Sequence, residues 1–406
     1  MEMKPWGVSA PGRPNSFTTM PLLHLGLAPG WQNPTIATSS YGWWRRASSL
    51  GEMAMKSDDR RQGIDRRTLI SGLALLPTLS TTLLSSPVVA QTTTGEPLPS
   101  WNDEPAKQAI LEFVRATTEQ GSSKFVPVED RIATFDQDGT LWVEHPIYTQ
   151  MTYCLDRVST LAEQKPEIRK VEPFKTVLSG DREAMAKLSM NDLEKILAAT
   201  LTGMPVETFN AEVKKWLETA KHPRWKRPYT ELTFQPMLEV LHYLRSNGFK
   251  TYIVTGGGQD FVRVYSERVY GVTPEQVVGT MGGTKFGYDK NGKPFLTKEP
   301  KLLLNNNDGG KPEGIHLMIG RRPYAAFGNS TGDREMLEYT GAGDGARLMM
   351  LVLHDDATRE YAYGPARGLP NSKFGTFTVA LDDEAKKKGW TVISMKKDWK
   401  RIFAFE

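Results

Sequence analysis

The chain of 406 residues is 39% hydrophobic and 24% charged, which excludes a disordered or fibrous protein and leaves room for a large core plus an added domain. Its net charge is +4, with Lys and Arg scattered among Asp and Glu, so the basic face of a nucleic-acid-binding protein is excluded. The single cysteine, Cys154, has no thiol partner and no histidine cluster beside it; it reads as a small buried apolar residue rather than a disulfide or zinc ligand.

Residues 1–52 are rich in Pro, Gly, Ser and Trp without sustained periodicity, and read as a non-native upstream extension. Met53 or Met55 would be the true start. Residues 53–90 read as an export signal: Arg66-Arg67, an apolar stretch diluted by Ser, Thr and Gly, then Val88-Val89-Ala90 before Gln91. Cleavage is expected after Ala90, with the arginine pair raising the twin-arginine route and a periplasmic location. Pro77, Pro87 and the hydroxyl residues make the same stretch a poor membrane span, so no stable anchor is expected after signal removal.

In the mature region, "EPAKQAILEFVRATTEQG" has helical spacing and leads into a strand at Arg131–Phe135. Helical stripes follow at Leu193, Ile196, Leu197 and Leu201, and at Phe209, Val213, Trp216 and Leu217. Met237, Val240, Leu241 and Leu244 make a further helix face, ended by Asn247-Gly248. A strand at Lys250–Val254 then runs into a Thr-Gly-Gly turn. A helix from Asp260 to Tyr270, a strand at Gln276–Gly279 and a hairpin turning at Asn291-Gly292 come next. "KPEGIHLMI", a strand at Tyr324–Phe327, a helix after Asp333 and a strand in "ARLMMLVLHDD" continue the alternation. Such alternation predicts a parallel sheet with helices on both faces. The closing "KKGWTVISMKKDWKRIFAFE" shows no clean spacing and reads as an extension packed on the core.

Ligands of such sheets bind beyond the carboxyl ends of the strands. Three polar clusters fall there: Asp136/Asp138, Thr255-Gly256-Gly257, and Asn329/Asp333. Two carboxylates at the end of a buried strand are costly unless a cation or a reaction uses them. Asp136 can attack a phosphoryl group in line, while Asp138 can protonate the leaving alkoxide and later deprotonate water. Thr255 and the N–H of Gly256 suit phosphoryl oxygens. Asp136, Asp333 and a main-chain carbonyl could supply the oxygen ligands of Mg2+, with Asp138 and Asn329 the further metal-side candidates. A lysine is wanted to offset the phosphate charge, and Lys285, Lys301 and Lys311 are candidates. Lys311 is preferred because Pro312 and Glu313 open a helix at the sheet's active edge.

"DQDGT", "VTGGG", Lys311 and "GNSTGD", in that order, resemble the four motifs of the haloacid dehalogenase superfamily, most closely its phosphoserine-phosphatase-like branch. The resemblance covers about residues 128–355. It implies an α/β Rossmann-like parallel-sheet core with an inserted helical cap domain: core at 91–145, cap at 146–230, and the rest of the core with the C-terminal extension at 231–406. It also implies a magnesium-dependent aspartyl-phosphate mechanism, with Asp136 as nucleophile, Asp138 as acid/base, Thr255 and Lys311 on the phosphate and Asp333 on the metal side. Glu144 falls one residue out of step with a cap-side glutamate of that branch, and Asn329 stands where the family often has an acidic ligand.

Within the superfamily the second Asp favours phosphohydrolases over dehalogenases, because an alkoxide leaving group needs a proton and a halide does not. The expected activity is hydrolysis of small phosphorylated metabolites. The alternatives are a phosphotransferase using the same intermediate, or a non-catalytic phosphate-ligand or partner-binding protein. Arg169, Lys170, Arg224 and Arg227 are cap residues that could meet a second anionic group, and His354-Asp355-Asp356, which follows a strand and could border the site, reads mainly as a polar loop.

Overall fold

The strand carrying the first carboxylate is central. In the computed structural model, which describes residues 96–406, β1 (Ile132–Phe135) is buried along its whole length. The upstream extension at 1–52 and the export signal at 53–90, with cleavage after Ala90, lie outside the described residues.

The other strands are β2 (Lys250–Gly258), β3 (Val277–Tyr288), β4 (Pro294–Leu304), β5 (Ala325–Gly328), β6 (Leu348–Leu353) and β7 (Thr391–Ser394). They form one seven-stranded sheet in the order β4-β3-β2-β1-β5-β6-β7, parallel throughout except for β3 against β4. Successive strands leave β1 first on one side and then, from β5, on the other. That reversal puts the ligand crevice at the carboxyl ends of β1 and β5. Phe135 is in register with Phe327 across this junction, and their rings stack with centroids 4.4 Å apart.

Apolar side chains alternate to the two faces of the sheet. Phe135, Ile253, Phe327, Met350 and Ile393 join one core, while Val254, Val278, Ala326, Leu351 and Leu353 join a second. This double burial is why the strands read as continuous apolar runs.

The helices are α1 (Pro105–Thr118), α2 (Thr149–Gln164), α3 (Phe174–Ser179), α4 (Arg182–Ala186), α5 (Met190–Leu201), α6 (Val206–Thr219), α7 (Gln235–Ser246), α8 (Gln259–Arg263), α9 (Ser266–Tyr270), α10 (Gly310–Met318), α11 (Arg334–Gly341), α12 (Val379–Lys388) and α13 (Met395–Asp398). On α7, Met237, Val240, Leu241 and Leu244 are wholly buried, as their spacing predicts. Helices α2 to α6 fill the connection from β1 to β2. No helix among the described residues is long and apolar enough to cross a membrane.

Four expectations are corrected. The Thr-Gly-Gly segment is no turn: it lies within the end of β2, at the irregularity in the β2–β3 pairing between Val254 and Gly258. The helix expected from Asp260 to Tyr270 is two short ones, because Val264 and Tyr265 break it. The expected hairpin is much longer, its first arm continuous with the strand before it. Its far arm bonds the α5–α6 connection through Gly203 N–H to Lys298 O and Lys298 N–H to Met204 O, 2.8 and 2.9 Å. The C-terminal region belongs to the sheet: β7 pairs with β6, and Trp399, Ile402 and Phe403 are buried. Its signal was weak because β7 has only four residues and α12 is largely polar.

Candidate active site

The β1–β5 ladder continues one bond beyond β1, from Asp136 N–H to Phe327 O at 2.8 Å, which carries Asp136 to the crevice. The chain then turns tightly: Leu141 N–H bonds Gln137 O at 2.8 Å and Gly139 N–H bonds Trp142 O at 2.9 Å. Gly139 adopts φ +74°, and a Cβ there would stand 2.1 Å from Asn329 Nδ2 and 2.4 Å from Glu144 Oε1. Only glycine fits that position. The turn points its polar side chains apart. Gln137 is buried and donates to Tyr265 OH at 2.6 Å, whereas Asp138 Oδ1 accepts from Trp142 Nε1 at 2.7 Å.

Lys311, the second residue of α10, is buried with its Nζ 2.7 Å from Asp136 Oδ1 and 2.5 Å from Asp333 Oδ1. Asp333 Oδ2 accepts from Asn329 N–H at 2.9 Å and Ser330 N–H at 3.0 Å, so both its oxygens are engaged. The end of β2 closes a third side. Thr255 Oγ1 accepts from Gly257 N–H at 3.0 Å, and a Cβ on Gly257 would lie 3.8 Å from Asp138 Oδ2. Asn306 Nδ2 holds Thr255 O at 2.9 Å and Thr280 Oγ1 holds Gly256 O at 2.7 Å.

The fold thus brings Asp136, Lys311 and Asp333 into direct contact, sets Asp138 beside Gly257, and places Thr255 and Gly256 next to them. Asn329 touches this group through the Asp333 carboxylate, while its own side chain bonds Thr140 and Glu144. The rival lysines are elsewhere: Lys285 and Lys301 are exposed on β3 and β4. Arg224 is removed from the anion-binding candidates, because its guanidinium bonds the carbonyls of Ala357, Thr358 and Glu360. Arg227 pairs with Glu231.

Desolvation dominates the electrostatics. It pushes the Asp136 carboxyl up to about 7, with the Asp333 charge adding to the rise and Lys311 opposing it. Asp138 is pushed up to about 6 by desolvation, against the Trp142 hydrogen bond and the Lys311 charge. Burial alone would lower the Lys311 ammonium, but Asp136 and Asp333 outweigh it and hold its pKa above the usual value. Two carboxyls therefore share one ammonium, with Asp138 close enough to feel its charge, and a further cation would relieve the surplus. The available donors are oxygens, which suit a hard ion such as Mg2+. Among the described residues no three His, Cys, Asp or Glu side chains converge as a ready metal cage. Magnesium needs only one or two carboxylates, its remaining positions going to water and phosphate.

Several contributors lie outside the four motifs. His354, just beyond β6, is buried, with Nε2 2.7 Å from Gly139 O and Nδ1 3.0 Å from Glu360 Oε2; it braces the turn that follows Asp136. Tyr363 donates to Glu144 Oε1 at 2.7 Å. Gln150, in the first turn of α2, accepts from Gly258 N–H at 2.7 Å and so joins the α2 helix to β2. Trp142 was findable, since its spacing of four from Asp138 spans one tight turn.

A model of the haloacid dehalogenase-like hydrolase family matches residues 133–338, half of the chain. No curated protein matches the sequence. Among solved structures, a protein of unknown function from Bordetella pertussis Tohama I is 17% identical, covering 65% of this chain and 97% of its own, with a TM-score of 0.39. A conserved protein of unknown function from Anaerococcus prevotii DSM 20548 is 16% identical, covering 62% and 86%, with a TM-score of 0.43. A phosphoserine phosphohydrolase-like protein from Francisella tularensis subsp. tularensis SCHU S4 is 17% identical, covering 55% and 88%, with a TM-score of 0.31. These likenesses are too distant to carry an activity across.

Proposed function

The chain belongs to the haloacid dehalogenase-like hydrolase family, and from that premise we propose that it is a magnesium-dependent phosphomonoesterase acting on small organic phosphates through an aspartyl-phosphate intermediate. The observation that carries this reading is Asp138: a second carboxyl, half-buried and oriented by Trp142, two residues beyond the strand-end carboxylate.

Asp136 attacks phosphorus with the oxygen that Lys311 does not hold, and the bond from phosphorus to the substrate alkoxide breaks. Asp138, kept protonated toward neutral pH by desolvation, gives its proton to that alkoxide. Its carboxylate then takes a proton from water, whose oxygen attacks phosphorus and releases inorganic phosphate from Asp136. Thr255 accepts from Gly257 N–H, so its own hydroxyl proton is free to donate to a phosphoryl oxygen, alongside the N–H of Gly256. Asp136, Asp333 and the Asn329 carbonyl are the residues that would hold Mg2+. The ion would neutralise charge on the phosphoryl oxygens. Lys311 bridges Asp136 and Asp333, offsets their mutual repulsion and faces the same oxygens.

Purified mature protein assayed against a panel of phosphomonoesters, with and without Mg2+ and with an alcohol acceptor, tests the reading. Stoichiometric inorganic phosphate is expected. A phosphorylated acceptor in its place would make the protein a phosphotransferase, and no turnover on any member of the panel would leave only ligand binding. Export is proposed from Arg66–Ala90, and mass spectrometry of the host's periplasm should find a mature N-terminus near Gln91.

A further inference from the structure

Asn329 occupies the fourth motif's first position, where a neutral residue removes a negative charge from beside the cation. Its carboxamide is not free. Nδ2 donates to Glu144 Oε1 at 2.7 Å, and Oδ1 accepts from Thr140 Oγ1 at 3.2 Å. Glu144 is 2% exposed, and the same oxygen accepts from Tyr363 OH at 2.7 Å. The pair is wedged between two backbones that admit no side chain: Gly139 on one side, and Gly375, where a Cβ would stand 1.7 Å from Glu144 Oε1, on the other. Two glycines at positive φ, from segments more than two hundred residues apart, leave room for this carboxylate and nothing larger.

We propose that Glu144 is the positioning residue of Asn329: its buried carboxyl, held by Tyr363 and walled in by Gly139 and Gly375, fixes the amide so that Oδ1 is the metal-side donor. The metal part of this inference rests on the proposed Mg2+ site. The pair tolerates one acid, at either position. An aspartate at position 329 would put two carboxylates in hydrogen-bond contact in a buried site, so the substitution that the motif alone favours for tighter metal binding is opposed by Glu144. Glu144 also cannot serve as a free substrate contact of the cap-side kind, since its Oε1 is committed to Asn329 and Tyr363.

The test is a four-protein cycle: wild type, Glu144→Gln, Asn329→Asp and the double variant. Mn2+ titration followed by electron paramagnetic resonance reads cation binding without substrate, and metal-free thermal melts read stability. Glu144→Gln keeps the shape and can still accept from Asn329, so its melt should stay near wild type while Mn2+ binding weakens about tenfold, the usual scale for an outer partner of a ligand. Asn329→Asp should lower the metal-free melting temperature by several degrees. In the double variant the amide introduced at position 144 can donate to the carboxylate introduced at position 329, and both melt and Mn2+ affinity should return to wild type or better. A merely structural glutamate would not be rescued by exchanging acid and amide across the pair. Unchanged Mn2+ binding in Glu144→Gln, or additive losses in the double variant, would overturn the proposal. Absence of Mn2+ binding to the wild type would instead overturn the cation reading of the site. The melts then decide the pair alone: recovery in the double variant upholds it and additivity overturns it.

Discussion

Two buried cations, Lys311 at the sheet's edge and Arg157 among the inserted helices, sit in opposite electrostatic settings. Arg157 joins α2 to its neighbours through Glu212 at 2.7 Å and Thr200 O at 2.9 Å, one carboxylate for one guanidinium, with Glu212 still 37% exposed. Lys311 faces Asp136 and Asp333 together, with Glu144 buried and Asp138 half-buried nearby and no second ammonium among the described contacts. A balanced pair serves packing. A surplus of buried carboxyls costs stability and persists where a ligand or a reaction uses it. The inserted segment is built to hold its shape, and the sheet's edge to bind and react.

Replacing Asp136 tests the reactive edge most sharply. Asp136→Asn should reduce turnover by on the order of 10⁴-fold or more while the protein stays folded, because only the attacking oxygen is lost. Phosphate release and far-ultraviolet circular dichroism measured together check this, and residual activity near wild type would remove Asp136 from the chemistry.

Removing the shared ammonium should break the site's own balance. Lys311→Met leaves Asp136 and Asp333 without their counter-charge, and metal-free stability should fall by about 3–5 kcal/mol in denaturant titrations. An equal or higher midpoint would mean that the carboxyls do not need Lys311.

Asp138 should matter in proportion to the basicity of the leaving group. Asp138→Asn should slow alkyl phosphates about 10²- to 10³-fold and p-nitrophenyl phosphate much less, because only the poor leaving group needs the proton. For the wild type on alkyl phosphates, the need for an ionised Asp136 and a protonated Asp138 should give a bell-shaped pH profile with its maximum between about 6 and about 7, and activity falling above it. Trp142→Phe removes a hydrogen bond that favours the ionised form, so the falling limb should move to higher pH. The same shift has a stability sign. Asp138 is ionised above about 4 when unfolded but only above about 6 when folded, so its desolvation costs nothing at low pH and its full amount above about 6. Asp138→Asn should therefore be more stable than wild type above pH 6, by roughly 1–3 kcal/mol, and equal to it below pH 4. A constant difference across that range would contradict the assignment.

The smallest effect belongs to the inserted helices. Glu212→Gln should cost about 1 kcal/mol of stability, as expected for a half-exposed partner, and leave kcat/KM unchanged. A change in KM alone would show that this pair shapes the substrate opening.

What was legible in the sequence was local. The run Ile132–Phe135 followed by "DQDGT", the Thr-Gly-Gly end of β2 and the lysine in the first turn of α10 each lie within a few residues, and strand or helix periodicity decides where their side chains go. The alternating order of elements determined the sheet, because parallel strands need crossover helices on both faces. The surroundings of those residues were decided by tertiary structure alone. Glu144 meets Tyr363 and Gly375, and Gly139 O meets His354, across separations of more than two hundred residues that no periodicity encodes. The length of the β3–β4 hairpin and the seventh strand were settled the same way, by pairing partners that four residues of β7 cannot announce. Hydrogen bonds between distant segments depend on where packing brings the chain, so the sequence alone names the candidate groups, and the fold sets which of them share a charge.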